Sequence, residues 1–369
     1  MQQPNLAVPG REEPDSTDVI QRRFREFAAS HPEVPTYASL ATQMADDESA
    51  VSILRHAAPG QARPVLLLSA LHLLSMKHPD LPAARWFANH PADRPVEDAW
   101  PEVSAALEEH RDELIETVSS RTTQTNEVNR ATYVRAMVAA ACADLPDTPI
   151  TLVELGASAG FLLGIDHYSV SVGDQQAGPV DAIVRCTADN HGAPIQLDLP
   201  PIMARIGLDA NPIGPEDVAD LEWLRACLWP EVPGRIDRFD AAVAHLRTDP
   251  PTLIAGDMVD DLARAIDQWR GSQTHLVVFS SWALTYVPRE RRAAIADALA
   301  SLPGVVSWVT AEPPGCMPGL PTSTASGDDQ LTGTEVGLLR WRDGVELDPQ
   351  LLGRVHPHGN WVELTGPAA

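Results

Sequence analysis

The hydrophobic positions divide the chain at about residue 149. Before that point, apolar residues recur at three- and four-residue spacing, as Ile20, Phe24 and Phe27 do, and this period predicts amphipathic helices. Residues 1–17 are polar and rich in proline, which predicts a disordered tail. We therefore expect an all-helical domain over residues 18–145. Its further helices are expected at 37–44, 50–54, 64–76 and 103–118.

After residue 149, short apolar runs alternate with helical patterns. The run at 275–279 is apolar after its first residue, as in a strand that is buried on both faces of a parallel sheet. This alternation predicts an α/β fold with a doubly wound sheet over residues 146–369. The last strands, joined through Asp343 and Gly344, predict a C-terminal β-hairpin. Strands are expected at 150–155, 205–209, 252–257, 275–279, 305–311, 336–342 and 353–364, and helices at 161–168, 217–228, 262–269 and 289–302.

A turn of small residues follows the first of these strands and reads Glu154-x-Gly156-x-Ser158-x-Gly160. Small residues let a backbone approach a ligand closely, and a helix that begins next presents free N–H groups. The carboxyl ends of strands at a switch point of the sheet form a ligand crevice. The segment therefore predicts a Rossmann-like crevice, with a tight turn that holds no ligand as the alternative.

This turn resembles motif I of the class I S-adenosylmethionine-dependent methyltransferases, with a serine in place of the middle glycine. The resemblance implies a methyltransferase-type Rossmann-like fold that holds the amino-acid end of S-adenosylmethionine against the turn. It also implies that Asp209 binds the ribose hydroxyls, that Asp257 lies by the adenine, and that residues 279–282 lie beside the transferred methyl group. The implied cofactor-binding residues are Glu154, Gly156, Ser158, Gly160, Asp209, Asp257 and Ser280.

A closer resemblance covers nearly the whole chain. Residues 121–130 read RTTQTNEVNR, residues 207–212 read GLDANP, residues 229–238 read WPEVPGRIDR, and residues 256–257 read GD. Together these segments resemble an uncharacterised bacterial family, a domain of unknown function that is common in actinobacteria. The resemblance implies a helical N-terminal region joined to a methyltransferase-like core.

The segment 121–130 also supplies candidate substrate contacts, because it holds two arginines, three threonines and two asparagines. Guanidinium groups bind carboxylate or phosphate in a bidentate way. We interpret the segment as a lid over the crevice; a solvated helix start is the alternative. The two arginines of 229–238 either bind an anionic group or form surface ion pairs with Glu231 and Asp237. Candidate catalytic residues are Glu127, as a general base, with Arg121 and Arg130, and candidate substrate-binding residues are Asn126, Arg235, Arg238, Trp282 and Tyr168.

Charge and cysteine content narrow the classes of partner. A net charge of −24 repels nucleic acid and anionic membranes, and it favours a small molecule or, through the acidic surface, a protein partner. No apolar run reaches the ~18 residues of a membrane span. The N-terminus lacks the pattern of a signal peptide, so we expect a cytoplasmic protein. The four cysteines are far apart and predict free thiols rather than disulfides or a metal site.

We expect an enzyme that transfers a methyl group from S-adenosylmethionine to a polar or anionic metabolite, in natural-product biosynthesis. One alternative is the same scaffold without S-adenosylmethionine, in an elimination or ring closure that releases sulfate or phosphate, with a partner protein. Another is a non-catalytic interaction protein. Gly156-x-Ser158-x-Gly160 also matches the nucleophile turn of α/β-hydrolases, which need a later histidine such as His275, His356 or His358.

Overall fold

A computed structural model describes residues 15–88, 95–267, 274–320 and 333–365 of the chain. The chain forms two compact units: unit 1 comprises residues 1–126 and 218–237, and unit 2 comprises residues 127–217 and 238–369. The helical part therefore ends at residue 126, where the pattern predicts 145, and it takes in a later segment. Residues 1–14 of the expected disordered tail lie outside the described residues.

The secondary structure follows the predicted rhythm in most places. The α-helices of the described residues are α1 (Thr17–Ser30), α2 (Pro35–Met44), α3 (Glu48–Leu54), α4 (Pro64–Lys77), α5 (Ala99–Glu109), α6 (Arg111–Ser120), α7 (Ala131–Cys142), α8 (Val218–Ala226), α9 (Arg235–Thr248), α10 (Leu262–Asp267) and α11 (Arg289–Ala300). The strands are β1 (Ile150–Leu155), β2 (Ser169–Val172), β3 (Gln175–Ala177), β4 (Arg185–Asn190), β5 (Ile202–Asp209), β6 (Thr252–Ala255), β7 (His275–Ser281), β8 (Val305–Glu312), β9 (Thr334–Arg342), β10 (Val345–Glu346), β11 (Gln350–Val355) and β12 (Trp361–Leu364).

Unit 1 is built around α4. Every residue from Pro64 to Ser75 is buried, as expected for a helix that is apolar on all sides. Within it, Nδ1 of His72 donates a hydrogen bond to the carbonyl of Ala226 over 3.1 Å, and burial lowers the pKa of its imidazole to about 4. The histidine is therefore neutral at physiological pH. α4 shares one hydrophobic core with α1, α2, α3, α5, α6 and α8.

A distant carboxylate caps the start of α2. The helix begins at Pro35, which has no N–H, and Val34 before it has no side chain that could cap. The next two N–H groups, of Thr36 and Tyr37, donate to the two oxygens of Glu231 at 2.8 and 3.1 Å. Glu231 thus satisfies backbone donors and places a negative charge at a helix N-terminus. In the same turn, Trp229 is buried.

Unit 2 contains a mostly parallel sheet. The strands of the described residues run in the order β3-β2-β4-β12-β11-β9-β8-β7-β1-β5-β6, and β10 pairs with β9. The pairs from β6 through β5, β1 and β7 to β8 are all parallel. After β1 the chain forms β2–β4 at the far edge of the sheet, comes back to place β5 and β6 on one side of β1, and then crosses to the other side of β1 for β7. The switch point of the sheet therefore lies between β1 and β7.

The predicted C-terminal hairpin is part of this sheet. β9 pairs antiparallel with β8 over eight positions, from Val305–Arg342 to Glu312–Glu335. β11 and β12 continue the antiparallel part, and β12 pairs parallel with β4. This side of the sheet combines parallel and antiparallel pairs, because β4 pairs with β12 and the strands β2 and β3 extend the sheet further.

The helix expected at 161–168 does not form. A single 3-10 turn spans Phe161–Gly164, and β2 begins at Ser169. The ring of Tyr168 lies 3.0–3.1 Å from where a Cβ of Gly164 would be, so the turn folds back on itself. The strands β2–β4 were missed because they are short and carry polar residues at positions where a buried strand has apolar ones.

Helices cover the sheet in unit 2. α10 and α11 share a core with β1, β5, β7, β8 and β9, which includes Trp308 and Trp341. α7, predicted for the helical domain, packs on β8 and β7 and so belongs with the sheet. Its Arg135 is buried and donates to the carbonyls of Leu197 and Ile165, both at 2.7 Å. This arginine ties the loops on either side of β2–β4 to the helix.

Replacing Glu231 by alanine tests the distant cap of α2. Two charge-assisted hydrogen bonds are lost, and we expect the free energy of unfolding to fall by about 2 kcal/mol. Urea unfolding followed by circular dichroism measures this change. The control is Glu222→Ala on α8, whose side chain is exposed, with an expected change within about 0.5 kcal/mol. Equal effects of both substitutions would contradict the cap.

Candidate functional site

The turn after β1 has an unusual backbone. Gly156, Ser158 and Gly160 all have positive φ angles, of 75°, 51° and 69°. Glycine adopts such angles freely, but a serine there is strained unless its surroundings hold it. The turn lies at the carboxyl end of β1, next to the switch point of the sheet.

Asp209, at the end of β5, holds this turn in place. Its Oδ2 accepts the N–H of Ser158 and its Oδ1 accepts the N–H of Asn211, both at 2.8 Å. The carbonyl of Ser158 in turn accepts the N–H of Ile213 at 3.0 Å. These bonds explain how a serine is held in a left-handed conformation. Both carboxylate oxygens expected to face a ribose thus bind backbone of the protein itself.

The glycines of the turn make room for protein. A Cβ on Gly156 would lie 2.5 Å from the Cβ of Ala283, and one on Gly160 would lie 2.8 Å from Cγ of Pro251. The N–H of Gly156 donates to the carbonyl of Leu208 at 2.8 Å, and that of Gly160 donates back into the turn. No α-helix begins after the turn. The expected hold on S-adenosylmethionine by free N–H groups of the turn and a helix start therefore does not fit these residues.

Glu154, the last acidic residue of β1, is buried with 4% of its surface exposed. It pairs with Gly207 on β5, so Asp209 lies two residues further along on the same face. Burial, reinforced by the charge of Asp209, raises the pKa of Glu154 well above its usual value, although Arg130 opposes the shift. Its Oε2 has no hydrogen-bond partner among the described residues. The raised pKa favours the protonated form of Glu154, which can donate a hydrogen bond.

A buried arginine lies at the same edge. Arg130 donates from Nε to the carbonyl of Pro357 at 2.9 Å and from Nη1 to the carbonyl of Ser281 at 3.2 Å. Tyr133, one turn later on α7, forms a 2.8 Å hydrogen bond with the hydroxyl of Ser281 at the end of β7. Burial raises the pKa of Tyr133 to about 12. The edge thus combines a fixed positive charge with neutral donors.

The predicted general base, Glu127, is part of the framework that holds this arginine. Its Oε1 accepts the N–H of Asn129 at 3.0 Å and lies 3.8 Å from Nη2 of Arg238. The side chain of Asn129 binds the backbone of Thr187 and, at 2.9 Å, the carbonyl of Gly359. Asn129 was within the polar segment but was not singled out, and it joins that segment to β4 and to the turn before β12.

Two buried glutamates that the sequence analysis missed face each other across β8 and β9. Glu312 and Glu335 are directly opposite in the antiparallel register, and 1% and 8% of their surfaces are exposed. Oε1 of Glu312 accepts the N–H groups of Ala283 and Leu284 at 3.0 and 3.1 Å. Oε2 of Glu312 and Oε1 of Glu335 have no hydrogen-bond partner among the described residues.

A small cavity adjoins this pair. It has a volume of about 10 Å³, on the order of one water molecule, and is lined by residues that include Thr310, Met317 and both glutamates. Burial raises the pKa of Glu312 to about 7, against the opposing effect of the two N–H groups that it accepts. The signal in the sequence that could have located Glu312 is an acidic residue at the end of an apolar run.

Two of the candidate residues of unit 1, Arg121 and Arg235, contact other residues of that unit. Arg121 forms an ion pair with Asp220, and its guanidinium carbon lies 5.9 Å from the ring centre of Trp223. The indole N–H of Trp223 donates to the carbonyl of Thr122 at 2.9 Å. The guanidinium of Arg235 is likewise 5.9 Å from the ring of a tryptophan, Trp229, and Asn126 is half-buried. The predicted lid segment is thus divided between the two units, at 126/127.

The remaining candidates lie in unit 2. Tyr168 is buried, and its hydroxyl donates to the carbonyl of Phe161 at 2.6 Å. Trp282 has a positive φ of 57°, and its indole N–H donates to Thr334 at 2.9 Å. Asp257 accepts the N–H groups of Val259 and Asp260 and forms an ion pair with Arg291. Ser280 is fully buried. The side chains of Tyr168 and Asp257 therefore bind nearby backbone groups and stabilise local turns.

The fold and these residues define an α/β protein with buried ionisable groups at the carboxyl edge of a mostly parallel sheet. A family model described as "Uncharacterized protein conserved in bacteria (DUF2332)" matches residues 21–364. The chain belongs to this family, which confirms the expected relation to an uncharacterised bacterial family. No curated protein matches the chain. In the part of the chain that the structure describes, no helix is long and apolar enough to cross a membrane.

A glycine substitution separates the packing role of the turn from its backbone strain. Gly156→Ala adds a Cβ at positive φ that meets Ala283, and we expect the free energy of unfolding to fall by about 2–5 kcal/mol. Gly304→Ala is the matched control, because its φ is 80° and nothing lies within 4 Å of the added Cβ. There the fall should be about 1–2 kcal/mol. Equal losses in urea unfolding would contradict the close approach.

The raised pKa of Glu312 makes stability depend on pH. Because the folded state holds this proton more tightly than the unfolded chain does, its stabilising effect is present below pH 4.5 and is lost as the pH rises through about 7. The loss is on the order of 3 kcal/mol. Glu312→Gln keeps the acceptor oxygen and removes the titration.

Urea unfolding between pH 4.5 and 8 measures this effect. The difference between the free-energy curves of wild type and Glu312→Gln should grow in favour of the variant as the pH rises. Glu346→Gln on exposed β10 is the control and should follow the wild-type curve. A difference that stays constant with pH would show that Glu312 does not titrate in this range.

Proposed function

We propose that this chain is an enzyme that acts on a small polar or anionic metabolite at the carboxyl ends of β1, β7 and β8. The observation that carries the proposal is Glu312, a buried carboxyl whose pKa is raised to about 7 at this edge of the sheet. A carboxyl that exchanges its proton near neutral pH suits general acid–base catalysis, and such groups concentrate at active sites.

The neighbouring groups support this assignment by their charge. The raised pKa of Glu154 favours its neutral form, which can donate a hydrogen bond, while Arg130 carries a positive charge whose interactions burial strengthens. Two nitrogens of Arg130 are held by carbonyl oxygens, which fixes the guanidinium and orients its other donors. A fixed guanidinium suits a carboxylate, sulfate or phosphate group of a substrate.

The order of the strands supports methyl transfer from S-adenosylmethionine as one reaction class. Counted along the chain, the parallel strands β6-β5-β1-β7-β8 stand in the order 3-2-1-4-5, which is the order of doubly wound nucleotide-binding sheets. An acidic residue ends each of the two strands that flank the glycine turn, Glu154 and Asp209. In this reading the cofactor would be held by contacts other than the N–H groups of Gly156 and Gly160.

The packed turn favours a second reaction class on the same scaffold. Because Ala283 and Pro251 fill the space beside the two glycines, less room is left there for a bound cofactor. An elimination or ring closure requires a base that removes a proton and a cation that stabilises the departing anion. Ionised Glu312 takes the proton and Arg130 stabilises the departing anion. In an elimination, the electron pair left by the proton forms a double bond as the bond to the leaving group breaks. In a ring closure, the deprotonated nucleophile forms the new ring bond as the leaving group departs.

Ligand binding to the purified full chain separates the two classes. Isothermal titration calorimetry with S-adenosylmethionine and S-adenosylhomocysteine at up to millimolar concentration tests the first. Thermal unfolding in sulfate or phosphate, against chloride at equal ionic strength, tests the second. For the second class we expect a rise in melting temperature with the divalent anions, reduced in Arg130→Lys and retained in Arg55→Lys, an exposed control.

The outcomes separate the two classes. Binding of S-adenosylmethionine with a dissociation constant in the micromolar range would support methyl transfer. A chain that binds neither compound and responds equally to sulfate and chloride would overturn the proposal of an anion-binding small-molecule enzyme.

A further inference from the structure

Three side chains of unit 1 meet where α4 ends and α6 begins. His78 is the residue that follows α4, His110 precedes α6, and Glu113 is the third residue of that helix. His110 and Glu113 are three residues apart, so they lie on the same side of the helix start. All three side chains are partly exposed, with 42%, 18% and 32% of their side-chain surfaces accessible.

The donor atoms have the spacing of metal ligands. Nε2 of His78 lies 3.2 Å from Oε2 of Glu113, and Nδ1 of His110 lies 3.7 Å from the same oxygen. The three donor atoms lie within 4.8 Å of one another. Ligands at about 2.0–2.1 Å from a tetrahedral Zn²⁺ are about 3.4 Å apart. The two nitrogen–oxygen separations bracket this value, and the two imidazole nitrogens, which lie within 4.8 Å of each other, approach further when an ion closes the triangle.

The charges around the cluster leave the metal position open. The two carboxylate oxygens of Glu113 have different neighbours. Oε1 lies 3.4 Å from Nζ of Lys77, and Oε2 faces the two imidazoles. The ammonium therefore binds the oxygen that faces away from the histidines. Two imidazole nitrogens and one carboxylate oxygen form a ligand set that suits Zn²⁺. Because the three side chains are partly exposed, water can reach the fourth position.

A second cluster of possible metal ligands, in unit 2, has an arginine bound to one of its imidazoles. His167, His245 and Asp249 also bring three donor atoms within 4.8 Å of one another. There, however, Nη2 of Arg205 lies 2.8 Å from Nε2 of His167. Arginine can only donate, so this imidazole lone pair is already used by a cation. A metal ion would have to displace the guanidinium, and the second cluster therefore serves as a built-in control.

We propose that His78, His110 and Glu113 form a Zn²⁺ site with three protein ligands and one solvent position. The bound ion joins the end of α4 to the start of α6. Since these two helices pack against each other in the core of unit 1, binding should raise the thermal stability of the chain.

Calorimetric titration of ZnCl₂ into the full chain, prepared without a histidine tag and stripped with a chelator, tests the site. We expect one Zn²⁺ per chain and a higher melting temperature. His78→Ala and Glu113→Gln should each weaken binding by roughly tenfold or more, since each removes one of three ligands. His167→Ala, from the second cluster, should leave the affinity unchanged.

Cobalt substitution provides an independent measurement. Co²⁺ in a tetrahedral site gives stronger visible absorption than octahedral aqueous Co²⁺, and the signal should disappear in Glu113→Gln, which preserves the shape of the side chain. Circular dichroism confirms that each variant is folded. Absence of zinc binding at millimolar concentration, or binding that survives both substitutions at the first cluster, would overturn the proposal.

Discussion

The carboxylate of Asp209 is the interaction on which the functional edge of unit 2 depends. Its two oxygens bind the N–H groups of Ser158 and Asn211, and so they join the ends of β1 and β5 at the switch point. Without these bonds, the left-handed serine would be strained and the turn would not hold its shape. With the turn fixed, Ala283 can pack on Gly156, and this brings the segment after β7 to the same edge.

Desolvation gives this edge its chemical character. Glu154 and Glu312 are removed from water at the ends of β1 and β8, and burial raises the pKa of each carboxyl. Arg130 opposes both shifts because its positive charge favours ionised carboxylates. Here two buried carboxyls with raised pKa values lie at the same edge as one fixed guanidinium, and we propose that this combination moves protons and binds an anion. The proposed function rests on this balance of charges rather than on the glycine turn.

Membership of the DUF2332 family agrees with the relation that the motifs at 121–130, 207–212 and 229–238 indicate. Several of these motif residues turn out to brace the fold. Glu231 caps α2, and Asn129 ties the polar segment to β4 and the turn before β12. Their unusual sequence is thus explained in part by structure, because buried polar groups must find partners. The zinc site, by contrast, is built from residues outside every motif.

The sequence by itself determined the alternation of strands and helices after residue 149, because short continuous apolar runs mark strands that are buried on both faces and a period of 3.6 residues marks helices. It also located the turn at Gly156 and the strands that became β1, β5, β6, β7 and β8. It could not show that the helix expected at 161–168 is replaced by a 3-10 turn over Phe161–Gly164, since Tyr168 and β2 must be in place to interrupt the helix.

Only the tertiary structure decided which polar residues meet. The register of β8 and β9 sets Glu312 opposite Glu335, and α4 and α6 bring His78 to Glu113 across 35 positions of the chain. Pairings of this kind depend on how whole elements pack, and no local pattern of residues records that. For the same reason, the burial of Glu154 and its effect on the pKa of the carboxyl depend on the neighbouring strands β5 and β7, which no local pattern places beside β1.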